Sequence, residues 1–598
     1  MNDAYPGGAA GHAPPQPVPC GPARGSRVAS TRERLGTRRA LVAFLAAALA
    51  LGPLVLAWPV LAPGGWTVWE VLILFCLAAH APWVGLTATS TLIGLVLRLR
   101  GPDPAAAVLP ALRDPGVLSA PIRSRTLIAL CVRAEDMSAV LPPAARLLRE
   151  LQARHGGCFA LGVLSDTPAG PGAEAEAASV AGLAARFPPG TVLYRRRADN
   201  IGTKGGNLMD FLDHHAAGVD HALVLDADSV MTAEAVLRLV RVMQVDPGLA
   251  ILQATVAGHG AETGFARLFD RGLLRAARVW VTGQAWWQGP AQLWWGHNAL
   301  IRIAAFRRDA QLPLLPGGAH ILSHDYAEAA RLHAAGWAVR VWPDERGSSE
   351  RHPPDLPALF ARDLRWAAGN LQYRHLLRRR DFGRLGRFQM LEAIMHYALA
   401  PLRLALLPLA ALNVVTGGGA ATPQGALLLL LGTGLALLSL PRLAGHAEAL
   451  LRPGKASRVA LVCDMGPELA FGLLLEPLEA LERTLILLRL ALGRFGGWAP
   501  QPRTARQVTW AAAARRFWPH TAFGLVLAAG FMAGSAPALL AALPALAGLL
   551  LAVPLAVWTA RPLPSHGAAD AVLPVRHLPA KLQRGSMRRI TPSRLTRA

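Results

Sequence analysis

Two aspartates separated by one residue, Asp226 and Asp228, form a D-x-D pattern in the segment LDADS at positions 225–229. They follow a short apolar run, so both carboxylates stand where a strand would end. Mg²⁺ and Mn²⁺ prefer such oxygen ligands and can join them to a diphosphate. The pattern predicts a metal site that also binds a nucleotide donor. The alternative is that Asp228 or Ser229 caps a helix beginning near Thr232.

Three other polar positions follow earlier apolar runs in the same part of the chain. Glu135 and Asp166 come after the first two runs, and acids at the ends of neighbouring parallel strands line one crevice. We expect both to bind the nucleotide, although each residue type is also common in caps and turns. Lys204 stands in a glycine-containing segment, 200–207, where backbone N–H groups and a cation favour phosphate. Its spacing differs from that of a Walker loop.

The segment Ser323-His324-Asp325 precedes a helical pattern and contains a candidate general base. Sugar transfer with inversion needs one group to take a proton from the acceptor hydroxyl, and the carboxylate of Asp325 suits that role. A helix N-cap is the alternative. A hydrolase triad is excluded, because three consecutive residues cannot adopt its geometry.

The aromatic and basic residues downstream are candidates for contacts with sugar and phosphate. Arg365 would neutralise a departing diphosphate, and Trp366 offers a flat face on which a sugar ring can stack. An amphipathic interfacial helix would explain the same pair. His297 and Asn298 are predicted to bind the acceptor together with Trp366. Further candidates for stacking lie just upstream: Trp286, Trp287, Trp294 and Trp295.

These residues lie in a stretch, 101–385, that alternates short apolar runs with helical patterns. Four runs predict strands at 126–132, 158–164, 191–194 and 221–225, with a helix at 138–152. This pattern indicates an α/β domain with a mostly parallel sheet covered on both faces. Ligands bind such sheets at the carboxyl ends of the strands.

Long apolar segments on either side of this domain predict membrane helices. Residues 39–100 form a predicted hairpin with basic flanks, which places its ends and the domain in the cytoplasm. Residues 386–560 contain the other spans, six in total or eight in the alternative count. The charged segment 459–492 is either an amphipathic surface helix or one that faces a polar channel. The tails, 1–38 and 561–598, are predicted to be cytoplasmic, the first disordered and the second basic.

The composition agrees with a membrane part joined to an aqueous domain. The chain has 598 residues, 53% of them hydrophobic, and a mean hydropathy of +0.32. Its net charge is +23, but the basic residues crowd beside the apolar runs. That distribution favours anionic lipid as a partner and argues against nucleic acid.

In their order along the chain, these motifs resemble those of the processive family 2 glycosyltransferases, such as cellulose and hyaluronan synthases. The chain is more similar to the glucans biosynthesis glucosyltransferase H family, which makes the backbone of osmoregulated periplasmic glucans. The likeness runs from about residue 39 to about 520. Its carriers are LDADS at 225–229, WWGHNALIR at 294–302, ILSHDYAEAARLHAAGW at 321–337, ARDLRWAAGNLQ at 361–372 and, more weakly, GRFGGWAPQPR at 493–503 with Trp510. Cellulose synthases differ at 324, where they have Glu, and at 362, where they have Gln.

The resemblance implies a GT-A fold, UDP-glucose as donor, Mg²⁺ or Mn²⁺, and inversion to a β-linked glucan, with β-1,2 linkage. By position, Glu135 and Asp166 would bind uridine, and Asp226 and Asp228 the metal and diphosphate. Asp325 would be the base, with Arg365 and Trp366 closing the site. The implied setting is the bacterial inner membrane, with export of the growing glucan through the enzyme's own helices and periplasmic glucan-processing proteins as partners.

Two other functions are compatible with the same residues. One is a different family 2 activity, either cellulose-like synthesis or transfer of a single sugar to a lipid acceptor. The other is a transporter whose aqueous domain has lost its activity. Tolerance of Asn at Asp226, Asp228 and Asp325 would favour the transporter.

Overall fold

The structure is a computed structural model that describes residues 34–101, 103–452, 457–497 and 507–563. Most of the predicted tail at 1–38, nearly all of the basic tail at 561–598, and part of the motif at 493–503 lie outside these ranges. The first helix already begins at Leu35, four residues before the predicted limit of the hairpin.

The N-terminal apolar segments form two long helices, α1 (Leu35–Leu61) and α2 (Val68–Arg100), which pack against each other. Thr67 and Glu70 form a capping box at the start of α2, which satisfies backbone N–H groups that have no partner inside the helix. Gly85 lets the two backbones approach closely, because a Cβ there would collide with the carbonyl oxygen of Ala46.

A seven-stranded sheet forms the centre of the aqueous domain, in the order β3-β2-β1-β4-β8-β6-β9. All neighbouring strands are parallel except at β8, which runs antiparallel to β4 and β6. The first four strands confirm the predicted ones to within two residues. A second, small sheet has the order β5-β10-β7. The strands are β1 (Thr126–Val132), β2 (Phe159–Ser165), β3 (Val192–Arg196), β4 (His221–Asp226), β5 (Val230–Met231), β6 (Leu249–Ala254), β7 (Ala257–Gly258), β8 (Ala299–Arg302), β9 (Ala338–Trp342) and β10 (Ser348–Glu350).

Nine helices of the described chain belong to this domain, and α4 confirms the helix predicted at 138–152. Two apolar clusters, one containing Leu148 and Val236 and the other Leu208 and Phe306, cover the sheet and bury its strands. The helices are α3 (Pro104–Val108), α4 (Met137–His155), α5 (Pro171–Ala184), α6 (Thr203–His215), α7 (Ala233–Val245), α8 (Gly264–Gln288), α9 (Ile303–Asp309), α10 (His324–Ala334) and α11 (Leu356–Gln372).

The C-terminal helices pack with α1, α2 and α8 into one helical region. Within the described ranges, five helical stretches are long and apolar enough to cross a membrane, or six if the bent pair α17 and α18 is one span. The chain turns between α16 and α17, because α16 ends at Gly534 and α17 begins at Ala536. The helices are α12 (Arg384–Ala398), α13 (Ala400–Val415), α14 (Gln424–Leu451), α15 (Arg458–Ala491), α16 (Trp510–Gly534), α17 (Ala536–Leu550) and α18 (Ala552–Thr559).

The charged helix α15 buries several of its charges against other helices, and the choice between a surface helix and one that faces a polar channel stays a prediction. Glu468 and Glu482 are each 1% exposed. Glu468 accepts from His446 of α14 at 2.9 Å, and Glu482 accepts from Arg516 of α16. The charges therefore face other helices, as groups in an apolar surrounding must if they are to be satisfied.

Candidate active site

The ends of β1, β2, β3 and β4 lie level with one another at one edge of the sheet. Asp226 is paired in register with Cys131, and Ser165 with Val132. Asp226 and Asp228 are partly exposed there. The chain turns at once, because the backbone N–H of Asp226 donates to Ser229 Oγ at 3.1 Å. The cap of α7 is Thr232, which accepts from the N–H of Ala235, so the alternative role of Asp228 or Ser229 as cap is wrong.

Lys204 joins this strand end to the segment at 294–302. Its ammonium group donates to the Asp226 carboxylate and, at 2.7 Å, to the carbonyl oxygen of Gly296. Burial by itself would lower the pKa of Lys204, but the neighbouring carboxylates of Asp226 and Asp325 outweigh it and raise the pKa. Lys204 is therefore a charged group within the cleft.

Asp325 lies on the far side of Gly296. A Cβ at Gly296, where φ is +85°, would be 3.6 Å from Asp325 Cβ. Asp325 is the second residue of α10, and the cap position is Ser323, so the N-cap alternative is wrong. Burial raises the pKa of Asp325, although His324, the backbone N–H of Tyr326 and Lys204 oppose the rise. A raised pKa makes a carboxylate a better proton acceptor.

Helix α11 carries Arg365 and Trp366 and contacts the start of α10. Gly369 lies so close to Ser323 that a Cβ would collide with its hydroxyl, and Tyr373 Oη donates to the Ser323 carbonyl at 2.7 Å. Arg365 is buried, whereas Trp366 is 45% exposed, so its ring is available for stacking. The other face of the ring is covered by Arg362, whose Cζ is 4.4 Å from the ring centroid.

His297 and Asn298 follow Gly296 and differ in their surroundings. His297 Nε2 is 3.3 Å from Glu350 Oε2. Burial would lower the pKa of His297, but Glu350 and Asp226 raise it. Asn298 is fully buried and donates to Ser348 Oγ at 2.9 Å, so its amide is used within the protein.

The tryptophans upstream mostly pack within the protein. Trp294 is fully buried and meets Phe306 and His324 edge-on, and Trp287 donates to Ser90 of α2. The prediction that they stack on sugar is therefore wrong for these two. A local sequence rich in tryptophan does not show whether the rings are buried or exposed to a ligand. Only the packing in the folded protein decides this.

Asp166, the acid that follows β2, is held by Arg197, which sequence reasoning missed. Arg197 Nη2 donates to Asp166 Oδ2 at 3.0 Å and to the carbonyl oxygen of Thr203 at 2.7 Å. It holds Asp166 and the loop before Lys204 together. The sequence feature that could have identified Arg197 is its position directly after β3.

Asp136, which follows Glu135, accepts from the N–H of Ser138 and caps α4. Glu135 is half-buried beside it. The N–H of Ala134 donates to Thr167 Oγ1 at 2.8 Å, which ties this loop to the segment after Asp166.

The residues at the strand end fit a hard divalent cation that arrives with a diphosphate. Asp226 and Asp228 supply carboxylate oxygens, and a positive charge, the Lys204 ammonium group, already binds at Asp226. In the part of the chain that the structure describes, three or more His, Cys, Asp or Glu side chains are nowhere grouped to hold an ion. Phosphate oxygens would have to complete the coordination.

Residues 221–440 match the model of the family "Glycosyl transferase family group 2". A glucans biosynthesis glucosyltransferase H of Rhodopseudomonas palustris (strain BisA53) is 33% identical over 86% of this chain and 74% of that protein. One from Xylella fastidiosa (strain 9a5c) is 30% identical over 94% of this chain and 91% of that protein. The chain belongs to the glucans biosynthesis glucosyltransferase H family.

As a member of this family, the chain is a hexosyltransferase with a GT-A domain and several helices apolar enough to span a membrane. Among solved structures, a mannosyltransferase from Pyrobaculum calidifontis in complex with GDP-Man and Mn²⁺ is similar over 63% of this chain and 98% of its own. Its identity is 16% and the TM-score 0.36, which is too low to carry any inference. The resemblance seen in the motifs alone is confirmed.

Proposed function

We propose that this glucosyltransferase H family member transfers glucose from UDP-glucose, with inversion, onto a growing β-1,2-glucan, the backbone of osmoregulated periplasmic glucans. The observation that carries the proposal is the convergence of three motifs. Lys204 contacts both Asp226 and Gly296, and Gly296 adjoins Asp325. These contacts support a donor site and a proton acceptor that lie close together.

In the proposed reaction, Asp325 accepts the proton of the acceptor hydroxyl as its oxygen attacks C1 of glucose. The bond from C1 to the UDP oxygen breaks, and the negative charge passes to the diphosphate. Lys204 and Arg365 stabilise that charge, which is where fixed cations lower the barrier most. A divalent cation held by Asp226 and Asp228 would add Lewis-acid stabilisation of the leaving diphosphate.

Glu135 and Asp166 are proposed to bind uridine, and Trp366 to stack on the acceptor sugar. His297 is proposed to contact the acceptor directly, while Asn298 positions His297. A side-chain hydrogen bond of 3.2 Å joins His297 Nδ1 to Asn298 Oδ1. Glu350, which sequence reasoning did not single out, supports His297 from the small sheet.

The proposed location is the bacterial inner membrane with the catalytic domain in the cytoplasm, where UDP-glucose is made. The basic flanks of the first two helices support this orientation. Periplasmic glucan-processing proteins are the proposed partners on the other side.

The test is incorporation of radiolabelled glucose from UDP-glucose by membranes containing the full chain, with Mg²⁺ or with a chelator. Asp226→Asn is compared with Glu234→Gln, which changes an exposed carboxylate on α7. We expect metal-dependent polymer from the wild type and the control, and none from Asp226→Asn. Absence of incorporation by the folded wild type would contradict the proposal. A product that does not lengthen with time would favour single-sugar transfer instead.

A further inference from the structure

Asp363, in the segment RDLR at 362–365, has no role in the reaction proposed above. Asp363 is 2% exposed. Its Oδ2 accepts from Arg483 Nε at 2.9 Å, and Arg483 belongs to α15 in the helical region. One buried ion pair therefore connects the helix of Arg365 and Trp366 to a helix outside the catalytic domain.

Arg483 is held in a fixed place by other groups. Its Nη2 is 3.1 Å from Glu479 Oε2, and its Cζ lies 5.8 Å from the centroid of the Tyr397 ring. Arg483 itself is 8% exposed and Tyr397 1%. A buried pair of this kind is worth little as net stability, but losing one partner leaves an uncompensated charge. The contact therefore resists sliding or rotation.

The pair lies on the side of α11 opposite to Arg365. At 3.6 residues per turn, Arg365 is rotated by about 200° from Asp363 around the helix axis, and Trp366 by about 300°, which places it about 60° from Asp363 on the other side. A helix held on one side by Asp363 and touching Ser323 through Gly369 has a defined rotation. That rotation determines where Arg365 and Trp366 point.

We infer that Asp363 and Arg483 are positioning residues, which hold α11 in the rotation that presents Arg365 and Trp366 to the substrate. Through this pair, the position of α15 among the membrane helices sets the geometry of sugar transfer. The inference rests on the proposed function for the roles of Arg365 and Trp366. The structural part, the control of the rotation of α11 by α15, stands apart from it.

A matched control exists on the same helix. Arg403 Nη1 of α13 donates to Glu476 Oε2 of α15 at 2.8 Å, about two turns from Arg483. This pair also joins α15 to another helix, but it does not include a residue of α11. Its loss should disturb helix packing without rotating Arg365.

The first experiment measures kcat and KM for UDP-glucose with the purified full chain in lipid nanodiscs. The variants are Asp363→Asn, Arg483→Gln, the double variant, and the control Glu476→Gln. We expect each single variant to lower kcat about tenfold, because small displacements of positioning groups are costly, with an unchanged KM. The double variant should lose no more than a single one, since the two residues act through each other. Arg483→Lys should recover part of the loss.

The second experiment does not depend on activity. Trp366→Cys is introduced in the same backgrounds, and the rate of maleimide labelling at position 366 is read by mass spectrometry. We expect the rate to change several-fold with Asp363→Asn and not with Glu476→Gln. If Arg483→Gln fails to fold, Asp363→Asn and Arg483→Lys carry the test alone.

Additive losses in the double variant, an equal loss in the control, or unchanged labelling would overturn the inference. An inactive wild type with the expected labelling changes would contradict only the proposed function. The two failures are thus distinguishable.

Discussion

The edge of the sheet and the helical region treat charged side chains in opposite ways. At the edge, Asp226 and Asp228 are partly exposed. In the helical region, Glu468 and Glu482 are 1% exposed and paired across helices. Polar groups at the edge can therefore exchange partners with a substrate, whereas those between helices have no water to replace a lost partner. The first region should govern rate and the second should govern stability.

The largest effect is expected from breaking a buried pair in the helical region. Arg98 Nε donates to Glu448 Oε1 at 3.0 Å, and Arg98 Nη1 donates to the Pro343 carbonyl at 3.1 Å. Arg98→Met would leave the buried Glu448 without its guanidinium partner, at a cost of about 3–5 kcal/mol. The thermal midpoint of the purified protein measures this loss of stability, and we expect it to fall in Arg98→Met. Arg100→Met, an exposed residue of the same helical turn, should leave the midpoint unchanged.

At the edge of the sheet, Asp325→Asn should affect rate alone. Turnover is expected to fall by about 10² or more, because the acceptor hydroxyl loses its proton acceptor. UDP binding, measured by calorimetry, and the thermal midpoint should remain close to wild type. Turnover near that of the wild type would remove Asp325 from the role of base.

The pH dependence of kcat sharpens the same assignment. Because burial raises the pKa of Asp325 above 3.8, the protonated, inactive form persists to higher pH than for an ordinary aspartate. kcat should therefore fall about tenfold for each pH unit below that raised pKa. The residual activity of Asp325→Asn should lack this acidic limb. If the wild type and Asp325→Asn both lost activity in this way at acidic pH, another group would be responsible for the loss.

The smallest effect tests the cap of α7. Thr232→Ala removes the hydroxyl that accepts from the N–H of Ala235 and should cost about 1 kcal/mol of stability, with turnover unchanged. Asp228→Ala should show the reverse, a loss of turnover with little loss of stability. A stability loss in Asp228→Ala of the size seen in Thr232→Ala would return the capping role to Asp228.

Four strands of the main sheet and the order of the motifs were predictable because they depend on local patterns. A buried parallel strand is a short apolar run, and β1 was predicted with its exact limits. Strands β6, β8 and β9 were not predicted, and their places in the sheet, with β8 antiparallel to β4 and β6, depend on pairing between distant segments. The same holds for the small sheet that brings Glu350 to His297.

Residue types at the cleft were predictable where the reaction demands them, as for Asp226 and Asp325. Roles that depend on the burial of a side chain were not predictable from the sequence. Trp294 and Trp366 are the same residue type, yet one is fully buried and the other 45% exposed.

The amino-acid sequence by itself determined the α/β class, the apolar helices and the family, since these follow from periodicity and from short motifs. Only the tertiary structure decided which charges pair. Arg98 and Arg100 look equivalent as a basic flank, but Arg98 is buried against Glu448, which lies 350 residues further along the chain. Asp363 and Arg483 are 120 residues apart. Such partners are chosen by the packing of whole helices, a property that no local pattern records.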